Sequence, residues 1–404
     1  MKTKKLLQLN ATANWGSTGK IAEGIGLAAL DRGWESYIAY GRYANPSKSE
    51  LIKVGNKLDV YSHYAKSRFL NAEGLGSKSA TKNLIKKIKE LKPDIIQLHN
   101  IHDHWLNYPL LFKYLQTIDT QIVWTFHDCW AFTGGCSHFE TINCWKWKKE
   151  CVNCIFKSKY LKDNSSFNYN KKKSLFAGLG QRLHIITVSN WLSEFIKDSF
   201  LKEQNINIIH NGIDIETFKP SKSKRKTNSE RRIIGVSNVW PEYKGLKDFI
   251  KLREILSPDL KITLVGLNKK QISGLPEGIE GIERTQNIYQ LIEIYNSATA
   301  FINPTYNDSF PTVNLEALAC GTPVITYRTG GSPEAIDENT GLIVEKGDVK
   351  GLAESINIIL KNPNLYSLEN CRSRAIEKFN RTTQFNKYID VYENLLDKGN
   401  IKTD

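Results

Sequence analysis

The sequence predicts an α/β protein built from two Rossmann-like, doubly wound parallel-sheet domains. Three observations carry this. Apolar runs of strand length alternate with amphipathic runs of helix length along the whole chain. The alternation occurs twice, on either side of a polar stretch at 219–232 (KPSKSKRKTNSERR) that lacks large apolar residues and reads as a connecting loop. The composition, 40% hydrophobic and 10% aromatic over 404 residues, suffices for two cores and excludes a disordered or fibrous chain.

In the first half, 4–10 reads as a strand, followed by Gly16-Ser17-Thr18-Gly19 and a helix over about 18–30. Residues 36–40 form a short strand. The run 81–91 (TKNLIKKIKEL) sets Leu84, Ile85, Ile88 and Leu91 on one helical face, and Pro93 stops it. Strands follow at 94–99 (DIIQLH), 121–126 (QIVWTF) and 184–188 (HIITV), then a helix near 190–199 and a strand at 206–209. The second half repeats the pattern. Strands are expected at 232–236, 261–265, 300–303 and 323–326, with helices at 245–256, 287–298, 315–320, 351–361 and roughly 368–397. The domains are accordingly 1–213, carrying a Cys/Trp-rich insertion at about 129–160, and 214–379. A closing helix within 380–404 is expected to pack back on the first domain. Open α/β sheets bind ligands outside the carboxyl ends of their strands, so two in tandem are expected to face a central cleft. Most weight therefore falls on 10–19, His99, His127, Ser189, 237–244, Gly266 and 303–314.

Charge divides the chain. Residues 1–213 hold 30 Lys+Arg against 17 Asp+Glu, whereas 214–404 hold 26 against 25. The basic half is expected to face something anionic, although excess lysine also simply keeps proteins soluble. No stretch approaches the length of a membrane span, and the apolar run near the start is too short for a signal sequence. The expected location is the cytoplasm. No basic motif with interleaved aromatics matches a nucleic-acid reader, so nucleic acid is not an expected partner.

The run 303–325 (NPTYNDSFPTVNLEALACGTPVI) is the most informative. Asp308 and Glu316 flank a helix start at Pro311, a residue suited to a first turn. The amides of Thr312, Val313 and Asn314 are then expected to form an anion site, aided by the helix dipole. Glu316, one turn in, can accept hydrogen bonds from a vicinal diol such as ribose, and Asp308 can hold a sugar hydroxyl. Phosphate, ribose and sugar together describe a sugar nucleotide.

Here the sequence resembles the retaining glycosyltransferases of family 4, the group 1 transferases of GT-B fold, whose pattern is an acidic residue, seven residues, then Glu and Ala-x-Ala-Cys-Gly-x-Pro-Val. It stands as Asp308…Glu316-Ala-Leu-Ala-Cys-Gly-Thr-Pro-Val, with Asp where the family has Glu. The resemblance continues through 329–334 (TGGSPE), 339–342 (NTGL), 188–190 (VSN) and 210–214 (HNGID). It implies that Lys244, before Gly245, holds the donor phosphates, and that His127 approaches the donor sugar. It also implies that the loop bearing Gly16 and Gly19 lies close to donor and acceptor. The family's Arg on the strand end before that lysine is missing from 236–240 (VSNVW), where Asn238 is taken as donor-binding. His99, Asn100 and Trp130 are taken as the acceptor side.

The chain has no Asp-x-Asp triplet, so catalysis is expected to need no metal. Expected partners are a UDP-, GDP- or ADP-sugar, a glycan or polyprenyl-diphosphate-linked acceptor, and an anionic membrane surface met from the cytoplasmic side. The expected role is in capsule, exopolysaccharide or O-antigen synthesis. A sugar-nucleotide epimerase of the same fold and an inactive sugar-nucleotide-binding module are the rival readings. The insertion resembles that of group 1 transferases of bacterial surface polysaccharides. Its Cys136, Cys144, Cys151 and Cys154 have the residue types of a four-thiolate structural zinc site, with His138 a rival fourth ligand. Free thiols and disulfides are the other readings.

Overall fold

The computed structural model describes residues 3–155, 163–221 and 231–400. Most of the expected connecting loop at 219–232, the last residues of the insertion expected to 160, and 401–404 lie outside the described residues. The chain divides into two compact units, Met1–His210 with Thr382–Asp404, and Asn211–Arg381.

These limits correct the expected boundaries by a few residues, for a specific reason. Ile213 pairs with Asn380 in an isolated parallel bridge, its amide donating to Phe379 at 2.7 Å and its carbonyl accepting from Arg381 at 2.9 Å. Arg381 also meets the Asp214 carboxylate at 2.9 Å. Both connecting segments are thereby tied into the second unit. The span 368–397 is two helices, Leu368–Phe379 and Arg381–Asn400, parted at Asn380 where this bridge forms.

The first unit holds β1 (Lys5–Asn10), β2 (Glu35–Tyr40), β3 (Glu50–Lys53), β4 (Ile95–Leu98), β5 (Gln121–Phe126), β6 (Leu183–Thr187) and β7 (Asn205–Ile208). They form one parallel sheet in the order β3-β2-β1-β4-β5-β6-β7. The second holds β8 (Arg232–Val236), β9 (Lys261–Val265), β10 (Ile279–Ile282), β11 (Ala300–Asn303), β12 (Val324–Tyr327) and β13 (Gly341–Val344), in the order β10-β9-β8-β11-β12-β13. The central strands are short, nearly continuous apolar runs because helices cover both faces. Leu6, Leu7, Leu9, Ile95, Ile96, Leu98, Ile122 and Val123 are all fully buried.

The closing helix Arg381–Asn400 packs Phe385, Tyr388, Ile389 and Tyr392 into the core beneath β1, against Ile21 and Ile25 of the helix Gly16–Asp31. Each such fully buried side chain contributes about 2 kcal/mol. Tyr392 adds a hydrogen bond to Gln97 at 2.9 Å, and Arg32 reaches Asp390 and Glu393 at 2.9 and 3.0 Å. Among the described residues no helix is long and apolar enough to cross a membrane.

Candidate active site

Both sheets reverse strand order once, between β1 and β4 in the first unit and between β8 and β11 in the second. Such reversals open a crevice at the carboxyl ends of the strands, where α/β folds take ligands. The residues singled out in the sequence gather at these two places.

In the second unit the loop after β8 ends in the turn Glu242–Lys244 and Gly245, whose φ of 79° is a left-handed conformation natural to glycine. A Cβ there would collide with the Pro304 carbonyl. Nearby, the Tyr306 amide donates to Tyr243 at 2.7 Å. These close approaches lay the β8 loop on the β11 loop and bring Lys244 Nζ to 2.7 Å from Asp308 Oδ2. Asp308 is itself anchored. Its Oδ1 accepts from the Phe310 amide at 3.2 Å and its carbonyl from Gly331 at 3.1 Å. Gly330, at φ 54°, is packed so closely on that carbonyl that any side chain would strike it, which accounts for the glycine pair at 330–331.

The helix after Asp308 runs Thr312–Ala319, starting three residues before the expected 315. Pro311 is its cap rather than its first residue, and the Asn314 amide donates back to Pro311 at 3.2 Å. Asn314 is fully buried, and its side chain joins Asn303 at 2.8 Å and the Ser332 carbonyl at 3.4 Å. The expectation that Asn314 offers an amide to the donor is therefore corrected: it locks the helix to β11. Thr312 and Val313, half-buried, carry the first two amides, which helix geometry leaves without an intrahelical acceptor. One turn on, Glu316 Oε2 accepts from the Tyr295 hydroxyl at 2.9 Å. Burial and the Glu316 charge hold that phenol far above its usual range, so it is a donor. Asn238 lies exposed in the β8 loop.

In the first unit, Asn10 ends β1, donates to the Thr12 carbonyl at 2.8 Å and accepts the Asn100 amide at 3.2 Å. It thus joins the loop leading into the helix Gly16–Asp31, whose first turn holds the expected Gly16–Gly19 loop, to the end of β4. Gly19 is buried, and a Cβ on it would lie 2.7 Å from Thr12 Oγ1. His99, after β4, stacks on His127, after β5. His99 Nδ1 lies 3.1 Å from His127 Nε2, and its Nε2 lies 3.1 Å from Gln8 Oε1. The Gln8 amide nitrogen is committed to the Ala22 carbonyl at 2.7 Å, so Gln8 Oε1 accepts and His99 Nε2 carries the proton. His99 Nδ1 is then an acceptor, His127 Nε2–H donates to it, and His127 Nδ1 keeps its lone pair. Burial pushes His127 down to about 4, with the His102 charge assisting and Asp128 opposing, so the ring is neutral near pH 7.

Two acceptor-side expectations are corrected. His99 is 1% exposed and acts behind His127. Trp130 is equally buried, with the Lys172 ammonium 3.4 Å over its ring and bonded to its carbonyl at 2.6 Å. Its indole is therefore part of the packing beneath the insertion. His102 lies between Asp128 at 3.0 Å and Asp103 at 3.4 Å. Burial opposes its charge, but the two carboxylates prevail and hold its imidazole well above the usual value. The four insertion thiols, Cys136, Cys144, Cys151 and Cys154, line one cavity. Burial raises Cys136 to about 12 and Cys151 to about 11.

Sequence reasoning did not find Tyr295, Gln8 or Lys172. Tyr295 lies on an ordinary amphipathic helix and Gln8 inside a buried strand. The one available signal was Gln8 itself, a polar residue in an apolar parallel-sheet run.

Two family models match the chain: Glycosyltransferase Family 4 over residues 23–217, and Glycosyl transferases group 1 over 217–378. An Escherichia coli K12 protein named as the colanic acid biosynthesis glycosyl transferase WcaC is 23% identical, over 96% of this chain and 100% of its own. The Staphylococcus aureus capsular polysaccharide biosynthesis glycosyltransferase CapM is 27% identical over 52% of this chain and 62% of its own. The Anabaena protein HepE, solved in complex with UDP and glucose, superposes with a TM-score of 0.66 at 15% identity, covering 97% of this chain and 99% of that one. The architecture is the GT-B fold.

Proposed function

Because this chain belongs to the group 1 glycosyltransferases of family 4, we propose that it moves a sugar from a nucleoside-diphosphate donor to a glycan acceptor in cell-surface polysaccharide synthesis, retaining the anomeric configuration. The relatives' names in colanic acid and capsule synthesis support the setting, and the UDP bound by the Anabaena protein favours a uridine donor. The observation that carries the chemistry is the Lys244–Asp308 pair at the β8/β11 reversal, next to the opening amides of the helix that bears Glu316.

Lys244 and the amides of Thr312 and Val313 stabilise the departing diphosphate. Asp308 holds a hydroxyl of the transferred sugar and aims Lys244. Glu316, steadied by Tyr295, takes the ribose hydroxyls. His127, neutral, offers a lone pair to a sugar hydroxyl. Asp308 is committed to Lys244 and is a poor nucleophile, so substitution on the front face fits best. The bond from C1 to the phosphate oxygen breaks, the bond to the acceptor oxygen forms, and the acceptor proton passes to the leaving diphosphate. The chain's part is positioning and charge stabilisation, with no metal needed.

The same reading puts the acceptor on a polyprenyl diphosphate at the cytoplasmic membrane face. It is supported by the helix Lys57–Leu70, which exposes Leu58, Tyr61, Tyr64 and Phe69, and by exposed Lys82, Lys86, Lys87 and Lys89. The test is the anomeric configuration of the transferred sugar by NMR, with and without added magnesium or manganese. Retention, with turnover independent of the added cation, is expected; inversion, or turnover that requires an added divalent cation, contradicts the proposal.

A further inference from the structure

The segment after His127 holds a thiol cluster that the transfer reaction does not use. Among the described residues, 129–155 form neither strand nor α-helix beyond the single turns Trp130–Phe132, Phe139–Ile142 and Lys146–Lys148. Such a segment has few backbone ladder bonds to hold it. One side rests on aromatic packing, in which Phe139 meets Trp147 at 4.9 Å, Phe195 at 5.1 Å and Trp145 at 5.3 Å. On the other side Cys136, Cys144, Cys151 and Cys154, none of them in a disulfide, are among the residues lining a cavity of about 60 Å³.

Three features distinguish these cysteines from small packed hydrophobes. The Cys151-Val152-Asn153-Cys154 stretch turns back on itself through Asn153, whose φ is 47°. Both thiols on which most of the burial falls accept backbone N–H bonds, Cys151 from Gly134 at 3.2 Å and Cys136 from His138. Sulfur accepts such bonds best as an anion. The approach to Cys151 is close enough that a Cβ on Gly134 would lie 2.9 Å from the Cys151 Cβ. Third, the amine of the buried Lys172 is held at 3.1 Å on the Thr133 carbonyl, and the Thr133 hydroxyl in turn holds the Cys136 carbonyl at 2.6 Å. The Lys172 amine is thereby placed beside the set. The neighbouring Cys129 is buried and does not line the cavity, nor does His138.

We infer that Cys136, Cys144, Cys151 and Cys154 bind one zinc ion that fastens this segment to the first unit. Binding replaces four S–H protons by four Zn–S bonds of about 2.3 Å and leaves a net charge of about −2 on the centre. Among the described residues the group whose ligand atoms lie within 4.8 Å of one another is Glu73, His102 and Asp103. The four sulfurs line a wider space, and the ion draws them together. The other group already encloses a cation, the His102 imidazolium between Asp103 and Asp128.

The test is the metal content of the full chain, purified without added metal or affinity tag. About one zinc per chain is expected, lost in Cys151→Ser and Cys154→Ser and kept in Cys371→Ala. Should the serine variants fail to fold, the wild-type chain decides. In the folded chain the four insertion thiols should resist alkylation until a chelator is added, with the buried Cys129, Cys320 and Cys371 resisting throughout, and cobalt exchange should give the intense visible bands of a tetrahedral thiolate site. Absence of zinc with all four thiols alkylated equally with and without chelator, or disulfides among them by mass spectrometry, overturns the inference.

Discussion

The Nζ of Lys244 stands 2.7 Å from Oδ2 of Asp308, across 64 residues of sequence, with each side chain about one-fifth exposed. On the proposed assignment of this ammonium to the donor diphosphate, a donor would have to compete with Asp308 for it. Lys244→Ala is expected to lower turnover by roughly 10²–10³-fold, the usual cost of losing one donor to a developing anion. Asp308→Asn is expected to separate binding from transfer. Free UDP should bind more tightly, since the competing carboxylate is gone, while turnover falls. Calorimetry with UDP alongside steady-state rates checks both; weaker UDP binding by the asparagine variant contradicts the competition.

The Tyr295 hydroxyl, 2.9 Å from Glu316, orients a carboxylate assigned to the ribose. Tyr295→Phe is expected to raise the donor KM by about 10-fold and leave kcat little changed, as one hydrogen bond to a charged group is worth roughly 1.5–3 kcal/mol at most. An unchanged KM would remove Glu316 from ribose binding or Tyr295 from its support.

The Gln8–His99–His127 chain supports a pH prediction. With His127 near 4 and His99 well below its usual range, both chiefly from burial, the pair is neutral above about pH 5. Gln8→Glu puts a carboxylate where Gln8 Oε1 faces His99 Nε2 at 3.1 Å. A nearby negative charge favours the protonated ring, so the pair's proton affinity rises by roughly 1–3 units. The acid limb of kcat/KM should move to higher pH in the variant, and the wild-type profile should show no limb from this pair between pH 5 and 7. Superimposable profiles would show that His127 need not be neutral.

The exposed aromatics of the helix Lys57–Leu70 are expected to act together with nearby lysines at a lipid surface. Tyr61 and Phe69 are 68% and 57% exposed, so the double change Tyr61→Ser and Phe69→Ser should leave the fold intact. Co-sedimentation with phosphatidylglycerol vesicles should fall several-fold in the variant, and the wild type should bind neutral vesicles less well. Equal, poor binding to both vesicle types sinks the membrane reading.

What was legible in the sequence follows burial. Central strands such as Gln121–Phe126 and Lys261–Val265 are apolar on both faces, and their limits coincide with the sequence reading. The strands Glu50–Lys53, Ile279–Ile282 and Gly341–Val344 were not foreseen. All lie at sheet edges, where one neighbour is lacking and four residues suffice. The helix Lys57–Leu70 escaped notice because it buries only His63 and Ser67 and has no apolar stripe to read. Glu316 and Asp308 were visible because they share one short motif. Lys244 was visible too, beside Gly245, but its pairing with Asp308 was not, since it forms only through the β8/β11 reversal and the close packing at Gly245, and Tyr295 was not visible at all. Asn314 misled for a related reason: its place in the helix suggested a free amide, while its burial against Asn303 depends on the sheet beneath.

The most direct measurement is release of UDP, GDP or ADP from a panel of sugar nucleotides, with and without a membrane lipid extract, using Glu316→Ala as the control. The account expects release from one donor, stimulated by the extract and lost in the variant. Conversion of the sugar without any acceptor would instead indicate an epimerase, and nucleotide binding with no release from any donor would contradict the assignment of sugar transfer to this site.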